Sequence, residues 1–274
     1  MVDEVYSVPQ DDKDFLRLQQ LEQEANFKTK GIADYVRGLQ HCYDKRTPFV
    51  LMFEGDILAA DGWLVKTREA LTNSPKGLHD WIYLRLFNQE RSIGWASAKI
   101  GDNNEFRICL GVGLAVFSLA RALCLWTRST PAFTDKTSLA LICILIIPSF
   151  VILFFQAGKA NMLPPKPGVF AQNFGCCSQA LLFPREQVPG LAEYLTTKGH
   201  GQVDLLINDY ARERQLLRFS LYPVQIQHIG IQSARNTTED EARSIWSMAF
   251  EDKNPVTLDI EHRQLVKSIY HGSG

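Results

Sequence analysis

Glu54-Gly55-Asp56 puts two carboxylates two residues apart on a turn directly after the apolar run Pro48-Phe49-Val50-Leu51-Met52-Phe53. Carboxylates spaced in this way can both reach one hard divalent cation, which prefers oxygen donors. Gly55 between them lets the backbone turn with no side chain in the way. An acidic turn alone is ordinary, but this one follows a short, fully apolar stretch of the kind found in buried central strands of α/β sheets. Such sheets bind ligands beyond the carboxyl ends of their strands. The position therefore suggests a metal–diphosphate site.

Asp204 is the second candidate. It falls in the first turn of a helix that follows the glycine-containing turn Gly199–Gln202. There it can project from the sheet end as a base, or simply cap its own helix. Asp209 lies five residues further on, in a different direction around the helix, and reads as a solvated partner of Arg212 or Arg214. His228 sits inside Val-Gln-Ile-Gln-His-Ile-Gly-Ile, residues Val224–Ile231, an alternating pattern that predicts a half-buried strand. A lone strand histidine usually just satisfies a hydrogen bond. Together with the acids, it can supply an imidazole ligand to the same metal.

Other segments must position these groups. Asp14–Phe27 and Ile32–Tyr43 have helical periodicity, the second amphipathic through Ile32, Tyr35, Val36 and Leu39. Asp61-Gly62-Trp63 opens a helix to about Leu71, and Trp81–Phe87 reads as a strand. Further on, Lys159–Gly168 is a Pro-rich connector, Gln179–Phe183 a short strand, Pro184–Thr197 a helix with Pro at its start, and Val203–Arg214 a helix opened by acids.

Two uninterrupted apolar runs, Phe106–Trp126 and Ser138–Ala157, divide the chain. Each matches the ~20 residues a helix needs to cross a bilayer. Arg107 and Arg121 are their only formal charges, each near enough to a run end to snorkel. Two crossings return the chain to the side it left, so residues 1–105 and 158–274 can share one domain around a hairpin at 106–157. Arg121, Arg128 and Lys136 make the connecting loop basic, which places Thr127–Thr137 in the cytosol and both flanks in the lumen.

Lysine plus arginine number 29 against 30 acids, a net charge of -1, which argues against a nucleic-acid partner. Met1–Asp14 is acidic and has no apolar stretch, so no signal peptide opens the chain. For a lumenal first half, this predicts that the true N-terminus is missing. Of six cysteines, Cys109, Cys124 and Cys143 lie in the apolar runs and read as packing residues. Cys42, Cys176 and Cys177 lie in the flanks, where an oxidising lumen permits a bridge from Cys42 to either of the others. Asn236-Thr237-Thr238 is a glycosylation sequon.

Phe49–Trp63 resembles the metal-binding strand of GT-A glycosyltransferases. With the inserted hairpin, Ser178-Gln179-Ala180-Leu181-Leu182-Phe183, and Val224-Gln225-Ile226-Gln227-His228-Ile229-Gly230, the chain resembles the Golgi enzymes that add N-acetylgalactosamine to GPI anchors after attachment to protein, in their fungal type. The resemblance runs from roughly Ile32 to Arg235. It implies an α/β fold, a GT-A-like mixed sheet flanked by helices and split by a transmembrane hairpin. It implies UDP-N-acetylgalactosamine as donor, a manganese-type divalent metal, a mannose of the GPI glycan as acceptor, GPI-anchored glycoproteins and the lipid bilayer as partners, and inversion at the anomeric carbon. Carried over, Glu54, Asp56 and His228 are metal ligands and Asp204 is the catalytic base. The chain departs from the family at Gly55, where an acid is usual, and in the few strands before the triplet. Only Met1–Thr47 precede it, with Glu4–Val8 the one strand-like stretch, so the chain reads as N-terminally truncated. A truncated, non-catalytic binding or scaffolding protein is the rival reading, and a small structural membrane protein a third.

Overall fold

The computed structural model describes residues 13–72, 80–92, 104–127, 135–172, 177–231 and 245–271. It falls into two compact units. One comprises Met1–Asn88, Pro167–Gln172 and Cys176–Gly274, and the other Gln89–Lys166 and Asn173–Gly175.

The first unit is built on a five-stranded mixed sheet of β1 (Phe49–Phe53), β3 (Trp81–Arg85), β4 (Gly168–Ala171), β5 (Ala180–Pro184) and β6 (Leu217–Tyr222), in the order β1-β5-β3-β6-β4. β3 and β6 pair in parallel, while β5 runs antiparallel to both β1 and β3, and β4 antiparallel to β6. β1, β3 and β6 thus point the same way. A separate two-stranded ladder joins β2 (Ile57–Ala59) to β7 (Ile226–His228), with Ile57 opposite His228. Each of β1, β2 and β3, which precede the hairpin, pairs among the described residues only with strands that follow it.

The structure corrects several expectations. β1 is an edge strand of the described sheet, and β3 is the buried central one. The apolar run of β1 reflects packing of its two exposed phenylalanines: Phe49 lies 6.3 Å from Trp81 and Phe53 5.2 Å from Trp63, between ring centres. Of the expected strand Val224–Ile231, Ile226–His228 is strand, and it is buried rather than half-buried. Gln227 can occupy that interior because its amide exchanges two hydrogen bonds with the backbone of Ser247. Pro184 ends β5 instead of opening a helix.

Helices cover one sheet face. α1 (Lys13–Gln23) and α2 (Phe27–Asp44) are separated by a turn at Ala25, whose φ is +53°. Asn26 then caps α2 by accepting from the Thr29 amide. α2 buries Ile32, Val36 and Leu39, the face expected from their spacing. With α8 (Val188–Lys198) and α9 (Val203–Glu213), it packs on Val50, Tyr83, Leu181 and Phe183. On the other face, Trp81, Leu84, Leu182, Phe219, Leu221 and Ile226 cluster with Trp63 and Leu71 of α3 (Trp63–Thr72). Near the C-terminus, α10 (Met248–Glu251) and α11 (Pro255–Val266) were not expected from the sequence. Glu261 of α11 forms an ion pair with Lys66 of α3.

The second unit carries two helices long and apolar enough to cross a membrane, α4 (Glu105–Thr127) and Thr137–Ala157. The latter spans α5 (Lys136–Leu141), a π-helical turn Ile142–Ile146, and α6 (Ile147–Ala157). Most of their apolar side chains face outward. They meet where Gly113 is buried and the Cys143 thiol donates to its carbonyl, 3.6 Å away, a close approach that small residues permit between membrane helices. Gly158 (φ +89°) ends α6 and leads into α7 (Lys159–Met162).

Cys42, Cys109, Cys124 and Cys143 are free thiols, whereas Cys177 is disulfide-bonded. The expected bridge from Cys42 is therefore absent. That thiol packs against the α2–α8–α9 core as a small apolar group, and burial pushes its pKa up. Cys176, the sequon at Asn236, and Glu4–Val8 lie outside the described residues.

Candidate functional site

The carboxyl ends of β1, β3 and β6 define one edge of the sheet, the edge at which α/β sheets bind ligands. Glu54 and Asp56 leave β1 there. The β2–β7 ladder then draws His228 back to the same turn: its register sets Ile57 opposite His228, and the Ile229 amide donates to the Asp56 carbonyl at 2.9 Å. As a result His228 Nε2 lies 3.2 Å from Asp56 Oδ2, although 172 residues separate the two. The imidazole is buried, with 9% of its side chain exposed, against 43% for the Asp56 side chain. The Phe87 ring lies 6.5 Å from the imidazole. An anionic oxygen and a ring nitrogen thus meet at one point, with the carboxylate open to solvent.

Glu54 does not join that pair. Its Oε1 accepts from the Ser178 hydroxyl at 2.6 Å, and its amide donates to the Gln179 carbonyl. Among the described residues, no group of three or more His, Cys, Asp or Glu side chains could hold a metal ion. The donor set at Asp56 and His228 suits a cation that takes two protein ligands and completes its shell with water and substrate phosphate oxygens, a usual arrangement for hard cations at phosphate sites.

Asp204 opens α9, as expected. Its Oδ2 accepts from the Cys177 amide at 3.2 Å, so it reaches across to the segment before β5 rather than only capping its own helix. Consecutive residues, Cys177 and Ser178, therefore each donate one hydrogen bond, to Asp204 and to Glu54. Burial, followed by the charges of Glu54 and Asp204, drives the Tyr35 phenol well above its ordinary range, and Arg85 opposes them. That hydroxyl is buried without a hydrogen-bond partner. Asp209 pairs with Arg212 on the outer surface of α9.

A family model described as GPI-N-acetylgalactosamine transferase PGAP4 matches residues 7–227. The chain belongs to this family. The match contains Glu54, Asp56 and Asp204 and ends one residue before His228. No curated protein and no solved structure is significantly similar to the chain. Membership in the GPI-N-acetylgalactosamine transferase family makes the chain a glycosyltransferase by family and ties it to GPI anchors.

Several residues bonded to the site were missed in the sequence: Ser178, the Cys177 amide, Arg85, whose Nη1 donates to the Cys177 carbonyl, and Tyr83 and Asn208, which link Arg85 to the Asp204 carbonyl. Only Arg85 carried a visible signal, a formal charge within the apolar strand Trp81–Phe87. A groove of about 670 Å³ between α1, α2 and α8, lined by Asp14, Arg37, His41 and Thr196 among others, includes none of the candidate site residues.

Proposed function

We propose that the chain transfers N-acetylgalactosamine from UDP-N-acetylgalactosamine to a mannose hydroxyl of the GPI glycan, with inversion at the anomeric carbon. The observation that carries this reading is the meeting of Asp56 and His228 at the sheet edge, in a chain of the GPI-N-acetylgalactosamine transferase family. Asp56 is the principal ligand of a manganese-type divalent cation and His228 the auxiliary one. When bound, such an ion neutralises charge developing on the departing diphosphate. Glu54 stiffens the turn that presents Asp56 through its bond to Ser178, and adds negative charge near the ion.

Asp204 accepts the proton from the attacking mannose hydroxyl. The oxygen forms its bond to the anomeric carbon as the bond to UDP breaks, and UDP leaves with that electron pair. The Cys177 amide holds one carboxylate oxygen of Asp204 and leaves the other for the acceptor. The two apolar helices cross the Golgi membrane, and residues 1–105 and 158–274 lie in the lumen with the GPI-anchored acceptors.

Incubating the full chain in detergent with UDP-N-acetylgalactosamine, Mn2+ and a GPI-glycan acceptor tests this directly. The expected product carries a β-linked N-acetylgalactosamine on mannose, visible in its anomeric proton coupling. An α-linked product overturns inversion. Tight UDP binding without any transfer replaces the enzyme by a binding module.

A further inference from the structure

Arg85 is a single charge in an apolar strand, and the fold buries it to 2% exposure. A guanidinium withdrawn from water is costly unless its donors are satisfied. Nη1 donates to the Cys177 carbonyl at 2.6 Å and Nη2 to the Tyr83 hydroxyl at 3.0 Å, with the guanidinium carbon 5.1 Å from the Tyr83 ring centre. These partners are neutral oxygens, so the cation is fixed at this place by geometry rather than by a direct carboxylate contact.

Both arms continue to Asp204. From the Tyr83 hydroxyl a bond passes to Asn208 Oδ1 at 2.9 Å, and Asn208 Nδ2 donates to the Asp204 carbonyl at 2.8 Å. From Cys177, the amide donates to the Asp204 carboxylate. One arm therefore holds the main chain of Asp204, and the other its reacting side chain. Cys177 also has φ +80°, a conformation that costs a non-glycine residue energy. A segment in that state holds its shape only where surrounding bonds impose it, and the bond from Arg85 is one of them. The next residue, Ser178, holds Glu54.

We propose that Arg85 is a positioning residue that sets the direction of the Asp204 carboxylate through Cys177 and through the Tyr83–Asn208 link. The inference rests on Asp204 being the proton acceptor, and it adds the residue on which that aim depends. Removing Arg85 takes away one of the bonds that hold Cys177, beside its disulfide, and loosens the amide that faces Asp204. The carboxylate then samples directions that do not reach the acceptor hydroxyl. Asp56 and His228 bond to neither Arg85 nor Cys177, and Glu54, held by Ser178, reaches them only through the turn, so donor binding changes little.

The test uses the full chain in detergent with Arg85→Gln, Tyr83→Phe, Asp204→Asn and the double variant Arg85→Gln/Asp204→Asn. Arg85→Gln is expected to lower kcat by about 10-fold or more while KM for UDP-N-acetylgalactosamine stays within about 2-fold, the pattern of a lost transition-state interaction. In the Asp204→Asn background the same change should cost less than about 2-fold, because coupled residues are not additive. Hydrogen exchange at the Cys177 amide should speed up in Arg85→Gln by about 10-fold or more, as expected for local opening. Equal losses in both backgrounds, or unchanged exchange at Cys177, overturn the proposal. Should the parent chain transfer no sugar, the functional reading falls, and the exchange measurement still decides whether Arg85 fixes Cys177. If Arg85→Gln fails to fold, Tyr83→Phe, which removes one hydroxyl and keeps the ring, undergoes the same measurements with a smaller expected loss. Full protection and full activity in Tyr83→Phe would overturn the role of the second arm.

Discussion

Gly230 leaves the Asp56 carboxylate its space: a Cβ at Gly230 would fall 2.0 Å from Asp56 Oδ2 and 3.0 Å from His228 Nε2. Gly230→Ala therefore presses on the donor pair while leaving the sheet core untouched. The expected outcome is UDP affinity in the presence of Mn2+ weakened by about 10-fold, the lower range for disturbing groups that orient metal ligands. The unfolding temperature should be close to that of the parent. Unchanged metal-dependent affinity in this variant would detach the pair from donor binding.

Asp56 and His228 should not be equivalent. An exposed carboxylate contributes charge as well as a donor atom, whereas an imidazole ligand contributes a donor atom alone. Titrating Mn2+ against UDP binding, Asp56→Ala should abolish most metal dependence and His228→Ala only part of it. The reverse order would exchange their roles.

Along α9, Asp204 and Asp209 provide an internal comparison. Asp204→Asn keeps the shape and the bond from the Cys177 amide but cannot accept a proton, so transfer should fall by about 10²-fold or more with UDP binding retained. Asp209→Asn removes only a surface pair with Arg212, worth roughly 1 kcal/mol or less, and transfer should be nearly normal. Both rates come from the same acceptor assay.

Lys253 gives a pH signature. Burial, then the nearby charge of Lys66, lowers its pKa from 10.5 to about 8, against the opposing pull of Glu261. The folded chain thus releases this proton more readily than the unfolded chain. Unfolding takes up protons between about pH 8 and 10.5, and stability from this group rises with pH across that window. Lys253→Met should be the more stable protein below pH 8, with its advantage shrinking as the pH rises toward 10.5. Thermal unfolding of both chains at matched pH measures the difference. A constant difference across the range would mean that Lys253 keeps its ordinary pKa.

The proposed topology makes a further prediction. Glycosylation tags inserted beside Lys30 and after α11 should be modified in cells, and a tag within residues 128–134 should not. Modification of the loop tag alone would invert the orientation.

The parts of the site encoded in short stretches were legible in advance. The Glu54-Gly55-Asp56 turn, the helix start at Asp204 and the surface pairing of Asp209 all follow from local turn and capping chemistry, and all appear where expected. The lateral order of strands was not legible, because it depends on pairing between distant segments. β1 looked central because it is apolar, yet it lies at the sheet edge and its exposed phenylalanines pack on Trp81 and Trp63. β6 was not recognised because Arg218 and Ser220 interrupt its apolar pattern. Both find internal partners, Arg218 at Asn208 and Ser220 at Gln172. The α11 helix escaped notice because it buries no residue fully and so shows no apolar stripe. The contact between Asp56 and His228 was anticipated only as a possible shared ligand set. Its geometry comes from the β2 register, and three residues are too few to show a strand period.

The alternation of strands from either side of the hairpin dictates an order of events during synthesis. Among the described residues β1 pairs with β5, β2 with β7, and β3 with β5 and β6, so when the ribosome has made β1, β2 and β3 none of these partners has yet been synthesised. The nascent first half is therefore a set of waiting, unpaired edges of the kind that aggregate when left exposed. It must stay unfolded while both apolar helices emerge. Only with β5 can the sheet begin, with β6 close its centre, and with β7 bring His228 to Asp56. Assembly of the donor pair thus waits for the second half of the chain, and a chain interrupted between the acidic turn and residue 228 carries that turn without its histidine.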